Sequence, residues 1–173
     1  MARMADMACQ HEKINYTEVI MILDRLPVEP IALVRPGVDA HTMGPGHLVD
    51  LLAACGVSSV LEDQAVAQAL LHLDSDHQVS VLEDWLREGK YRSLGFSYRL
   101  DPAEGLRLFS ALVRVLERKR MLPRQGGSLR ALWFAGLPET CALVKEAHPW
   151  VNGCFDGEQS DREVLEALGI PPE

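Results

Sequence analysis

No run of about 18 apolar residues occurs in this chain of 173 residues, so nothing in it reads as a membrane span. The N-terminus, Met1-Ala-Arg-Met-Ala-Asp-Met-Ala-Cys-Gln10, lacks the continuous apolar core of a secretory signal. Positive charge is scarce: 17 Lys and Arg face 25 Asp and Glu, a formal charge of -8 that gives no support for binding nucleic acid or an anionic membrane. Together these absences predict a cytoplasmic protein. The four cysteines, Cys9, Cys55, Cys141 and Cys154, include no C-x-x-C pair, so neither a zinc cluster nor a disulfide framework is indicated. Ser-His-Asp and Cys-His arrangements, a G-x-x-x-x-G-K-[ST] phosphate loop and an H-E-x-x-H helix are all missing.

What is present is a repeating strand, loop, helix pattern. Residues 1–29 read as a polar, methionine-rich tail followed by one short helix over 16–26, which Pro27 and Pro30 end. The domain itself is expected over 30–173, a length suited to one core and short for two. Residues 31–34 suit a central parallel strand covered on both faces. A helix should begin near Gly44-Pro45, with Leu48, Leu51, Leu52 and Cys55 on one face and Gly56 as its stop. Cys55 is then a small buried hydrophobe. Further strands are expected over 57–61, 91–98, 129–134 and 150–155. Helices are expected over 64–73, 79–87, from Asp101-Pro102 onward with a stripe of Leu106, Phe109, Val113 and Leu116, and over 139–147. The polar stretch 74–78 should separate the first two of these. Arg114, Glu117, Arg118, Lys119 and Arg120 should cover the outer face and C-terminal turn of the long helix, where cations suit the dipole. Ser160 caps a final helix to Leu168, with Glu163 at the capping-box position and Gly169 as terminator. The C-terminus, Gly169-Ile-Pro-Pro-Glu173, has the composition of a linker, so the chain may be read as one domain cut from a longer protein. Five strands alternating with helices predict an open, doubly wound α/β sheet of the flavodoxin type, with helices on both faces. Ligands of such sheets sit at the C-terminal ends of the strands. The Asp39 loop, the Ser97 loop and a tight turn expected at Ala135-Gly136 all fall at that edge.

One spacing carries chemistry. Directly after the first strand, Asp39, His41 and Gly44 form D-x-H-x-x-G, a pattern expected by accident in a chain this long on the order of once in a hundred. An aspartate two residues before a histidine can accept the ring's other N–H, fix the tautomer and leave one nitrogen free for a metal. Gly44 lets the backbone turn closely beneath a bulky ligand. The alternative is a polar loop whose histidine makes a hydrogen bond and nothing more.

Arg35-Pro-Gly-Val-Asp-Ala-His-Thr-Met-Gly44 resembles the cobalamin-binding domains of methylmalonyl-CoA mutase, the glutamate mutase small subunit and methionine synthase. A basic residue, Pro-Gly, an aliphatic residue and D-x-H-x-x-G follow in the same order there. The resemblance implies cobalamin bound base-off, with His41 as lower axial ligand of cobalt, Asp39 as its hydrogen-bond partner, Thr42 in the same loop and Gly44 making room. Two further family motifs are degraded. The S-x-L that lines the slot for the displaced nucleotide tail is met by Ser97, but its leucine comes one place late at Leu100, with Arg99 in its stead. The Gly-Gly after the fourth strand is met by Ala135-Gly136. Tyr98 and Arg99 are candidates to reach the corrin edge or a nucleotide phosphate, since arginine suits phosphate. His47 either approaches this site or faces solvent. His72, His77 and His148, without partner patterns, are expected at the surface.

The resemblance covers roughly residues 30–170 and implies a cofactor carrier rather than a chain that turns over substrate alone. Nothing in it resembles the barrel that binds substrate in the mutases. The short N-terminus and the Pro-Gly favour the small subunit of an adenosylcobalamin-dependent carbon-skeleton mutase, with a separate catalytic subunit as partner. A methylcobalamin-type carrier for methyl transfer is the alternative within the family. Outside it stands a cobalamin-free signalling or interaction module on the same fold. A response regulator would want an acid beside Asp39, where Val38 stands, and a lysine within 149–157, where there is none.

Overall fold

The computed structural model of the protein describes residues 30–39 and 43–170. The tail and helix expected before residue 30, Cys9, and the loop residues His41 and Thr42 lie outside the described residues. Strands β1 (Ile31–Val34), β2 (Ser59–Leu61), β3 (Ser93–Tyr98), β4 (Ala131–Gly136) and β5 (Gly153–Phe155) pair in the order β2-β1-β3-β4-β5. All pairs are parallel, as a doubly wound flavodoxin-like sheet requires. The connections run through α1 (Met43–Ala54), α2 (Gln64–Ala69), α3 (Asp76–Glu88), α4 (Pro102–Arg118) and α5 (Pro138–Ala147), and α6 (Asp161–Ala167) follows β5. Among the described residues no helix is long and apolar enough to cross a membrane.

Strand alternation sends successive side chains to opposite faces. Ala32, Val34, Leu94, Phe96, Leu132 and Phe134 join a large core beneath α2, α3, α4 and α5. Ile31, Leu33 and Trp133 join a smaller one under α1 and α6, which contribute Leu52 and Leu165. The larger core is aromatic at its centre. Phe109 meets Phe134 edge-on at 5.3 Å and Phe96 at 5.6 Å, and each fully buried ring adds about 1.5–3 kcal/mol of burial.

Local signals stop and start the elements much as expected. Asp101 and Asp63 accept the amides of Glu104 and Val66 as N-caps, and Ser160 with Glu163 forms a full capping box. Gly56 and Gly169 take the left-handed φ values of 70° and 73° that terminate α1 and α6. Several expected boundaries move. α2 ends at Ala69, and the chain crosses 70–75 in turns that still bury Leu70 and Leu73. α3 begins at Asp76, because Asp76, His77 and Gln78, read as a break, are polar residues of a first turn. The deep stripe of α4 includes Leu108 and Leu112, whereas Leu106 is only half-buried. Ala135 and Gly136 are no turn: both stay extended inside β4, paired with Ser97 and Tyr98 of β3. His148 is not a surface residue either. It is half-buried, within 2.8 Å of the Ser110 hydroxyl and edge-on to Phe109.

Candidate functional site

At the C-terminal edge of the sheet, the loop after β1 is stitched down before the chain reaches the histidine position. The Asp39 amide donates to the Pro36 carbonyl at 2.9 Å, and the Gly37 amide to the Ala67 carbonyl at 2.9 Å. Asp39 is buried at 4 % exposure, and its Oδ2 accepts the Arg99 amide at 2.9 Å, which ties this loop to the end of β3. β1 and β3 are adjacent here, at the point where strand order reverses and ligands of such sheets collect. Arg35 and Glu62 flank the same edge with a 2.8 Å ion pair. Burial pushes the Glu62 carboxyl up despite the arginine, and its second oxygen has no hydrogen-bond partner.

On the side of the smaller core, α1 and α6 stand apart over the sheet and leave a cavity of about 240 Å³. The register explains its floor. Leu33, Gly95 and Trp133 lie in one row across β1, β3 and β4, and Ser97, Ala135 and Phe155 in the next across β3, β4 and β5. Three small residues, Gly95, Ser97 and Ala135, therefore form a trough between larger ones, and all three line the cavity. A side chain at Gly95 would crowd its neighbours, since a Cβ would stand 2.9 Å from the end of the Leu33 side chain and 3.1 Å from the Trp133 ring. Leu48, Leu51 and Val164 supply apolar walls from the helices. Trp133 is 3 % exposed, and its indole N–H finds no acceptor. A buried donor without a partner costs about 1–3 kcal/mol.

The mouth is polar. His47 Nε2 lies 2.8 Å from Asp161 Oδ1, bridging α1 and α6 across it. Arg99 Nη2 donates to the Asp156 carbonyl at 2.9 Å. Gln159 folds back on the same loop, accepting the Asp156 amide at 3.1 Å and donating to Asp156 Oδ1 at 2.9 Å. The Glu158 amide, donating to Asp156 Oδ1 at 3.1 Å, and then the Gln159 side chain hold the Asp156 carboxyl below its usual range.

Of the residues singled out in the sequence, Ser97 and Ala135 meet in this cavity and Asp39 braces its edge through Arg99. Gly44 falls within the first turn of α1, so it belongs to the helix rather than the loop. Tyr98 and Gly136 do not join the site. Alternation turns Tyr98 into the larger core, and a Cβ on Gly136 would strike the Phe134 ring at 2.5 Å and the Tyr98 carbonyl at 2.7 Å, so that glycine serves close strand packing. His47 and Arg99 line the cavity. Gly95, Trp133 and Asp161 were not singled out. A glycine inside an apolar strand is a recognisable mark of close approach, whereas nothing local marks the other two. Among the described residues no group of three or more His, Cys, Asp and Glu side chains is arranged to hold a metal ion. Comparison of the chain with protein-family models and with curated proteins finds no match.

Proposed function

We propose that this protein is a cobalamin carrier, holding the corrinoid base-off with His41 as the lower ligand of cobalt and offering the upper face to a partner catalytic subunit. The observation that carries the reading is the apolar cavity floored by Gly95, Ser97 and Ala135 at the edge where the D-x-H-x-x-G loop follows β1. Base-off binding needs such a slot, because the nucleotide base that leaves cobalt must be buried elsewhere. A dry cavity of roughly 150 Å³ accepts benzene, and drug-sized ligands need roughly 300–1,000 Å³. A volume of about 240 Å³ therefore suits one bicyclic aromatic group of a larger molecule.

A corrinoid would bring most of the ligands of its cobalt with it, so His41 alone would suffice on the protein's side and no three-residue cluster would be needed. When bound, the cofactor supplies the radical or group-transfer chemistry, and the protein contributes binding, ligation and exclusion of water. Asp39, buried and anchored by the Arg99 amide, is positioned by its own bonds rather than by the ligand. The partner is best matched by the substrate-binding subunit of an adenosylcobalamin-dependent carbon-skeleton mutase.

Visible-absorption titration with hydroxocobalamin, methylcobalamin and adenosylcobalamin tests the reading, repeated with His41→Ala. Saturable binding with a His41-dependent spectrum is the expected result. Preference for the adenosyl form supports the mutase assignment, and preference for the methyl form the methyl-transfer alternative. Absence of binding by every form defeats the carrier reading and leaves a cofactor-free interaction module on the same fold.

A further inference from the structure

Arg99 is the one lysine or arginine among the residues that line the cavity. It stands half-buried in a chain with 25 acids, yet no carboxylate forms an ion pair with its guanidinium among the described residues. The histidine and the carboxylate of the lining, His47 and Asp161, are engaged with each other. Partial burial of a cation without a counter-charge is unfavourable, and a site that keeps one is built to receive an anion.

The guanidinium is also held in place before any ligand arrives. Its Nη2 donates to the Asp156 carbonyl at 2.9 Å, and its plane lies against Gly157, where a Cβ would come within 3.3 Å of Nη2. The Arg99 amide is fixed by Asp39 Oδ2. Among the described residues one of the five N–H donors is consumed, by the Asp156 carbonyl, so donors remain for a bidentate contact with an oxyanion. Ser97, two residues earlier and near the end of β3, adds a hydroxyl-bearing side chain to the lining of the same cavity. The cavity thus pairs an apolar interior with an anchored cation at its mouth. That is the complement of an aromatic ring joined to an anionic linker.

We propose that Arg99 is the anion-recognition residue of this cavity, binding the phosphodiester that joins a corrinoid's nucleotide base to its macrocycle, so that the protein selects corrinoids bearing the phosphate over those truncated before it. The inference rests on the carrier reading and adds to it a residue that decides which corrinoid is carried. Arg99 occupies the place of the leucine in the S-x-L pattern, so this chain has an ionic contact where that pattern has an apolar one.

Three corrinoids separate the contributions: cobinamide, which lacks phosphate and base; cobinamide phosphate, which has only the phosphate; and hydroxocobalamin, which has both. Their dissociation constants are measured by absorption titration for the wild type, Arg99→Gln and Arg99→Lys. The wild type is expected to bind cobinamide phosphate roughly tenfold more tightly than cobinamide, the scale of one charge-assisted contact. Arg99→Gln should erase that ratio and weaken hydroxocobalamin by a similar factor while leaving cobinamide unchanged. Arg99→Lys should restore part of the preference, and because the readout is a ratio, general loosening of the loop cancels. Equal binding of cobinamide and its phosphate by the wild type, or a ratio that survives Arg99→Gln, overturns the role of Arg99 while the carrier reading stands. Failure of the wild type to bind any of the three overturns both.

Discussion

The two faces of the sheet are built to different standards. One lies under α2, α3, α4 and α5, with Phe96, Phe109 and Phe134 in mutual contact and all at most 1 % exposed. The other lies under α1 and α6 alone and keeps a cavity of about 240 Å³ against its strand ends. The same strands supply both faces, so the difference lies in alternate residues. Positions pointing to the packed face of β3 are Leu94, Phe96 and Tyr98, and those pointing to the other are Ser93, Gly95 and Ser97. Stability is concentrated on the first face and room for a ligand on the second.

Substitutions sharpen this contrast in order of size. Phe109→Ala, at the centre of the packed face, is expected to cost about 3–5 kcal/mol in chemical denaturation, and on the proposed carrier function to leave the corrinoid titration of the folded fraction unchanged. Equal losses of stability and binding would mean the faces are not separable. Gly95→Val adds volume on the cavity face, where Leu33 and the Trp133 ring already close in, and should cost about 1–3 kcal/mol and, on the proposed carrier function, abolish corrinoid binding. A variant that still binds would place the ligand elsewhere. Ser160→Ala removes the capping box of α6 and should cost about 1 kcal/mol, seen as faster amide exchange in α6 and not in α4. The smallest effect is one of pH. Burial first, then Arg124 and Arg114, push the His148 imidazole below its ordinary 6.5, so the folded state favours the neutral ring. Its contribution is fully present above pH 6.5 and is lost as pH falls from there through the folded value, a slope that His148→Gln should remove from the stability profile.

How far the site could be read from the chain differs by residue. Ser97 and Ala135 were legible because both match a spaced pattern near the expected strand ends, Ala135 as part of a turn that proves to be strand, and register sets them side by side across β3 and β4. Tyr98 and Gly136, their immediate neighbours, were legible as members of the same motifs but belong to the opposite face, since a step of one residue in a strand reverses the side chain. Gly44 was given the role of a loop residue making room for a ligand, while the same stretch, Gly44-Pro45, was expected to start a helix, and the helical start is the one observed. The pairing of His47 with Asp161 joins residues 114 positions apart, a distance at which no periodicity or cap speaks.

By itself the sequence determined the alternation of strands and helices, the stops at Gly56 and Gly169, the caps at Asp101 and Ser160, and the D-x-H-x-x-G loop after β1. Those are consequences of local backbone preference, short-range hydrogen bonds and the period of apolar residues. Only the tertiary structure decided that Gly95, Ser97 and Ala135 form one trough, that Trp133 is left with an unpartnered N–H, and that Arg99 stands at the mouth held by Asp39 and Asp156. Each of these depends on the order and register in which distant strands pair. That order is set by which faces the helices cover, a property of the whole packed sheet that no single segment encodes.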